Sequence, residues 1–93
     1  MRRTVRWLLS GRVQGVGFRY FVRNLAREIG LSGRVRNLPD GRVEIEAAGD
    51  PEALARFEQE VRIGPPGARV TGVEREEERA EGRAPWDGFE IDH

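Results

Sequence analysis

Within this 93-residue chain, residue types and spacing point to chemistry most clearly in the stretch Gly11-Arg12-Val13-Gln14-Gly15-Val16-Gly17-Phe18-Arg19. Gly15 and Gly17 let the backbone curl so that successive amides face one point, the concavity that cradles a phosphate. An apolar helical period begins just after them. A helix start leaves amides unpaired and carries partial positive charge, so it attracts anions. Arg19 falls in the first helical turn, where the helix dipole disfavours a cation. A bound anion would resolve that mismatch. A tight strand-to-helix turn with a solvent-facing Arg19 is the plainer alternative, and the residues alone leave both open. Two other readings fail. Gly15 to Tyr20 lacks the third glycine of a dinucleotide fingerprint. Gly17 to Val22 has one residue too many for the aromatic motif of RNA-recognition sheets, and it lies on a helical period.

The elements that must position this loop follow from periodicity. Val5, Trp7 and Leu9 alternate with Arg6, Leu8 and Ser10, so a strand is expected over Thr4–Val13. Val22, Leu25, Ala26 and Ile29 then recur at helical spacing, giving an amphipathic helix over Phe18–Ile29 that stops at Gly30. Strands over Gly33–Leu38 and Arg42–Ala48 flank the turn Pro39-Asp40-Gly41 and form a hairpin with one polar face. Asp50 reads as a helix N-cap and Pro51 as the first helical residue. Leu54, Phe57 and Val61 carry the second helix's apolar stripe as far as Gly64-Pro65-Pro66-Gly67. A fourth strand is expected from Ala68 to about Glu74. The almost wholly charged run Glu74–Arg83 is expected as a solvated strand end and loop. Gly88–Ile91 is a short closing strand. The order is βαββαβ plus that strand: an α+β fold, two helices on one face of an antiparallel sheet. A chain of this length buries roughly 60–65% of its unfolded surface, enough for one core, and residues 1–93 are expected to form a single domain.

Composition narrows the function. There is no cysteine, hence no disulfide framework, thiolate nucleophile or Cys-ligated zinc. All sixteen basic residues are arginine. The lack of lysine excludes a Walker loop and Schiff-base chemistry. Residues 1–43 carry a net charge of +8 and residues 44–93 a net −8. A basic half suits an anionic substrate, although a compact fold can mix sequence halves. The apolar run Val5–Leu9 is interrupted by Arg6 and is too short for a secretion signal or membrane span.

The segment Gly11 to Arg19 resembles the first signature of the acylphosphatase family. The second signature also appears, at Gly33-Arg34-Val35-Arg36-Asn37-Leu38-Pro39-Asp40-Gly41-Arg42-Val43, followed by Gly49. The resemblance covers nearly the whole chain. It implies a ferredoxin-like sheet and hydrolysis of acyl phosphates to carboxylate and inorganic phosphate. It also implies a phosphate-binding loop of Gln14, Gly15, Val16, Gly17, Phe18 and Arg19. Arg19 matches the family's phosphate-binding arginine and Asn37 its water-positioning asparagine. One departure is Arg34, where the family usually has an aromatic. It lies three residues before Asn37, on the opposite strand face, so an effect on packing or surface is expected there.

The remaining residues are compatible with this chemistry. The only histidine, His93, reads as a passenger at the end of the sequence. Ser10 has no evident base. Glu28 and Asp40 are too few acids for a magnesium site near the loop. Without metal, thiolate or general acid, positioning and charge remain, and these suffice when the leaving group is already a good one such as a carboxylate. No metal and no cofactor are expected. The expected partner is a small acyl phosphate, with inorganic phosphate as product and inhibitor. With Trp7 the only aromatic on the first three strands and a net charge of zero, no nucleic-acid partner is expected. No membrane partner is expected either. The chain reads as a complete, free-standing, monomeric cytoplasmic enzyme. The rival enzyme reading is a carbamoyl-phosphate-handling domain like that of hydrogenase-maturation proteins.

Overall fold

The computed structural model describes residues 2–79 and 85–93. The chain runs β1 (Arg3–Arg12), α1 (Phe18–Ile29), β2 (Ser32–Asn37), β3 (Val43–Gly49), α2 (Pro51–Ile63), β4 (Arg69–Arg79) and β5 (Phe89–Ile91). The strands form one sheet in the order β4-β1-β3-β2-β5. β1 lies antiparallel to both β3 and β4, and β2 antiparallel to β3. The short β5 joins β2 in parallel, so the completed sheet is mixed. This is the ferredoxin-like βαββαβ arrangement with one added strand.

Strand alternation decides what each face does. Val5, Trp7 and Leu9 of β1, Val35 of β2, and Val43, Ile45 and Ala47 of β3 are buried on one face. Phe18, Val22, Leu25 and Ala26 of α1 and Leu54, Phe57 and Val61 of α2 join them in one core. Trp7 packs against Phe57 with ring centroids 5.4 Å apart, and its indole N–H donates to Glu58 at 2.7 Å. That bond ties α2 to β1. Gly30 ends α1 as expected, with a positive φ of 93° and its amide bonded to the Ala26 carbonyl. Asp50 occupies the cap position before α2, but its side chain makes no capping bond. Its carbonyl instead accepts from the Leu54 amide at 3.0 Å.

The other face of the sheet is held by charge. Arg34 of β2 lies beside Glu46 of β3, which lies beside Arg6 of β1, which lies beside Glu76 of β4. One rung on, Glu44 accepts from Arg6 at 2.7 Å and from Arg36 at 2.6 Å. Glu44 is only 3% exposed, covered by the two arginines it binds. Burial alone would raise its pKa, but the bonds from Arg6 and Arg36 outweigh burial and hold the carboxyl below its ordinary value. Arg34 bonds Glu46 at 2.9 Å and Asp92 at 3.2 Å, so the residue in place of an aromatic serves as a surface ion-pair hub. The fold thus sets basic residues of the first half against acids of the second.

β4 runs to Arg79, five residues past the expected end, because β1 supplies a partner for it as far as the pair Arg3↔Arg79. Residues 80–83 of the expected loop lie outside the described residues.

Candidate active site

The segment between β1 and α1 turns on two glycines. Gly15 and Gly17 both have φ of 75°, a left-handed conformation that side chains disfavour. Gly17 is the residue before α1, and its carbonyl accepts the Phe21 amide at 3.0 Å. No acid lies in the first turn of α1 and no side chain caps it. The positive end of the helix is therefore uncompensated from within the helix. Phe18, 1% exposed, anchors that turn in the core.

Asn37 is the last residue of β2, on the same side as Gly33 and Val35, whereas Arg34 and Arg36 point to the charged face. Alternation thus brings Asn37 to the helix side at the sheet's end. A cleft of about 90 Å³ forms there, lined by Val13, Gln14, Gly15, Gly17, Phe18, Arg19, Tyr20 and Asn37. Arg19 and Asn37, 18 positions apart in sequence, meet in it. Of the expected loop residues, Val16 alone does not line the cleft; its side chain packs partly against the core.

Two polar features stand out in this cleft. The side-chain oxygen Oδ1 of Asn37 is buried with no hydrogen-bond partner. Arg19 makes no ion pair among the described residues; its Nη1 lies 3.4 Å from Nδ1 of His93. That contact was not readable from the sequence, since nothing in the residues around His93 signals where β5 carries them. The partners of Gln14, an expected loop residue, are the other unforeseen feature. The Gln14 Nε2 donates to the Leu38 carbonyl at 2.9 Å and to the Arg42 carbonyl at 3.0 Å, linking the β1–α1 loop to the β2–β3 turn.

The turn after Asn37 is fixed locally. Asp40 accepts from the Arg42 amide at 3.0 Å and from Arg42 Nε at 2.8 Å. The backbone bond, helped by the guanidinium, holds the Asp40 carboxyl below its ordinary pKa. Arg23, one turn beyond Arg19, does not line the cleft. It lies over the Tyr20 ring, 5.1 Å from its centroid, and donates to Asn24 at 3.3 Å. A larger open hollow of about 580 Å³, lined by Arg2, Arg27, Trp86 and Phe89 among others, involves neither Arg19 nor Asn37. Charge, glycine backbone and an unpaired acceptor converge instead in the smaller cleft. Among the described residues, no three His, Cys, Asp or Glu side chains converge as metal ligands, and no helix is long and apolar enough to cross a membrane.

Comparison with known proteins identifies the family. The sequence profile of the Acylphosphatase family matches residues 5–91. An acylphosphatase of Archaeoglobus fulgidus is 51% identical over 83 residues, covering 89% of this chain and 90% of that protein. One of Alkalilimnicola ehrlichii is 46% identical over 91 residues, covering 98% and 99%. The crystal structure of acylphosphatase from Bacillus subtilis superposes with a TM-score of 0.92 at 42% identity, over 98% of this chain and 99% of that one. With its profile matched over nearly every residue and both its fold and its relatives in agreement, the chain belongs to the acylphosphatase family, the hydrolases of acyl phosphates.

Proposed function

We propose that the cleft hydrolyses the carboxyl–phosphate bond by in-line attack of a water that Asn37 orients, on a phosphoryl group held by Arg19 and the amides of the loop Gln14 to Arg19. The observation that carries this reading is the buried, unpartnered Oδ1 of Asn37 in the same cleft as an arginine with no acidic partner among the described residues. A buried acceptor without a donor is costly and calls for a ligand or water to satisfy it. A water donating to Oδ1 has its lone pair free for phosphorus. An amide oxygen is too weak a base to deprotonate that water appreciably, so Asn37 orients it.

The cleft of about 90 Å³ is of a size for the phosphoryl group, which leaves the acyl part at its mouth. Water oxygen bonds to phosphorus as the bond from phosphorus to the carboxyl oxygen breaks. The electron pair leaves on the carboxylate, and both water protons end on inorganic phosphate. Phosphoryl transfer through a loose transition state needs mainly alignment and charge stabilisation on the equatorial oxygens. Arg19 supplies a planar fork for those oxygens. The same reading takes residues 1–93 as one unit, a monomeric cytoplasmic enzyme without cofactor, nucleic-acid or membrane partner, inhibited by its product phosphate.

Turnover of benzoyl phosphate, measured beside inhibition by inorganic phosphate, tests the two roles. Asn37→Ala should lose turnover by a factor on the order of 10² or more while binding phosphate nearly as the unaltered protein does. Arg19→Ala should lose both. Wild-type turnover in Asn37→Ala, or normal phosphate inhibition in Arg19→Ala, would show the roles to be misassigned.

A further inference from the structure

Gln14 sits inside the loop proposed to hold phosphate, yet both donors of its side-chain amide are engaged elsewhere. They reach the carbonyls of Leu38 and Arg42 at 2.9 and 3.0 Å. Two carbonyl acceptors can only be met by the NH2 end of the amide, so its orientation is fixed. These acceptors have a particular place in the hairpin. The last β2–β3 pair is Asn37↔Val43. Leu38 and Arg42 form the next rung, closed by the Leu38 amide donating to the Arg42 carbonyl at 2.8 Å. The Leu38 carbonyl also accepts the Gly41 amide at 3.1 Å. Gln14 thus adds a second donor to each carbonyl at the rung beside Asn37.

We infer that Gln14 is a positioning residue that braces the loop against the hairpin end, setting the distance between the phosphate cradle and the water-orienting amide of Asn37. Resting on the function proposed above, this gives the residue a role that acts through Asn37. The loop and Asn37 belong to different elements, 23 positions separate Gln14 from Asn37, and the two faces of the cleft could otherwise drift apart. The turn closes its own rung without Gln14, so losing the brace should leave the hairpin formed and both carbonyls still bonded. What it should cost is alignment. In-line attack is sensitive to displacements of about 1 Å, which can lower a rate by roughly 10²-fold.

The test uses Gln14→Ala, Asn37→Ala and the double variant, with benzoyl phosphate turnover, the inhibition constant of inorganic phosphate and the thermal midpoint measured for each. Gln14→Met, which keeps the length and the stem but has no N–H donors, guards against a folding defect of the alanine variant. Both Gln14 variants should lose kcat by about 10- to 100-fold. Their phosphate inhibition should stay within about twofold of wild type, because binding does not depend on where the water sits. In the Asn37→Ala background, Gln14→Ala should lower kcat by less than about twofold more, since the two act on the same water. Unchanged kcat in both Gln14 variants, phosphate inhibition weakened as much as kcat, or losses that multiply in the double variant would each overturn the inference. Wild-type turnover in Asn37→Ala would instead overturn the proposed function and this inference with it. An inactive Asn37→Ala beside a fully active Gln14→Met would sink the brace alone.

Discussion

The charged face of the sheet and the cleft at its end both rely on arginine, in opposite ways. On the open face Arg6 and Arg36 close on Glu44 at 2.7 and 2.6 Å, and Arg34 on Glu46 at 2.9 Å. In the cleft Arg19 has no acid beside it among the described residues; its Nη1 lies 3.4 Å from a histidine nitrogen. β2 divides the two regions. Its residues 34 and 36 go to the ion-pair lattice, while Asn37 turns the other way, into the cleft. The lattice residues satisfy one another. In the cleft, Asn37 Oδ1 lacks a donor and Arg19 lacks an acid among the described residues, an arrangement that costs stability and is kept where a ligand completes it. Satisfaction of the side chain, more than residue type, separates the arginines of the ion-pair lattice from the one proposed to bind phosphate.

The largest expected effect contrasts the two kinds directly. Arg19→Ala should lower turnover of benzoyl phosphate by about 10³-fold or more, and Arg19→Lys should recover little, because a point charge cannot reproduce the fork. Arg36→Ala should stay within about twofold of wild-type turnover while losing thermal stability. A catalytic loss in Arg36→Ala comparable with that in Arg19→Ala would erase the distinction between the regions.

Next is Glu44. Glu44→Gln should lower stability by about 1–3 kcal/mol near neutral pH with turnover kept, since it removes a bonded charge on the sheet face opposite the cleft. Because the folded carboxyl sits below its ordinary value, its contribution is present above the unfolded value of about 4.3 and is lost as pH falls through the folded one. Denaturant titrations should therefore show wild type losing its advantage over Glu44→Gln as pH drops below about 5. An advantage constant down to pH 3 would mean that the bonds to Arg6 and Arg36 do not depend on its charge.

Gly15→Ala should be milder. A Cβ there meets nothing within 4 Å, so no clash is expected, and the effect comes from φ of 75°. Thermal unfolding should register a loss of about 1 kcal/mol. If the loop closes on phosphate, the inhibition constant should weaken too; unchanged inhibition would place the anion elsewhere. The smallest effect is expected from excess EDTA. Turnover should be unaltered, and activity lost to EDTA but restored by magnesium would end the metal-free reading.

Most of the fold was readable because each element has its own period and stop signal. The change from alternation in Val5–Leu9 to helical spacing from Val22 to Ile29 places the first strand and helix. Pro39-Asp40-Gly41 places the hairpin. β4 was underestimated because from Arg75 on almost every residue is charged, so no alternation marks it; its length is set by β1 alongside. The parallel direction of β5 depends on docking to β2, which no local pattern encodes. The glycine loop, Arg19 and Asn37 were singled out through motifs, and the fold brings them to one cleft. The partners of Gln14 and His93 were not, since both are contacts between elements distant in sequence. The opposed charges of the two halves meet largely as cross-strand ion pairs and say little about the substrate.

The strand β5 behaves as a latch. It is three residues long, held by Phe89 in the core at 6.1 Å from the Phe57 ring, by Arg27 donating to the Phe89 carbonyl at 3.0 Å, and by the Asp92 amide on the Val35 carbonyl at 2.9 Å. So few bonds open more cheaply than the long pairings of β1. In hydrogen exchange, the amides of Gly33 and Asp92 should lose protection before those of the β1–β3 pair. Each such opening also frees Arg19 from His93, two residues beyond the strand. A denaturant concentration that unlatches β5 without melting the sheet should therefore alter phosphate binding while the circular dichroism of the whole domain stays native.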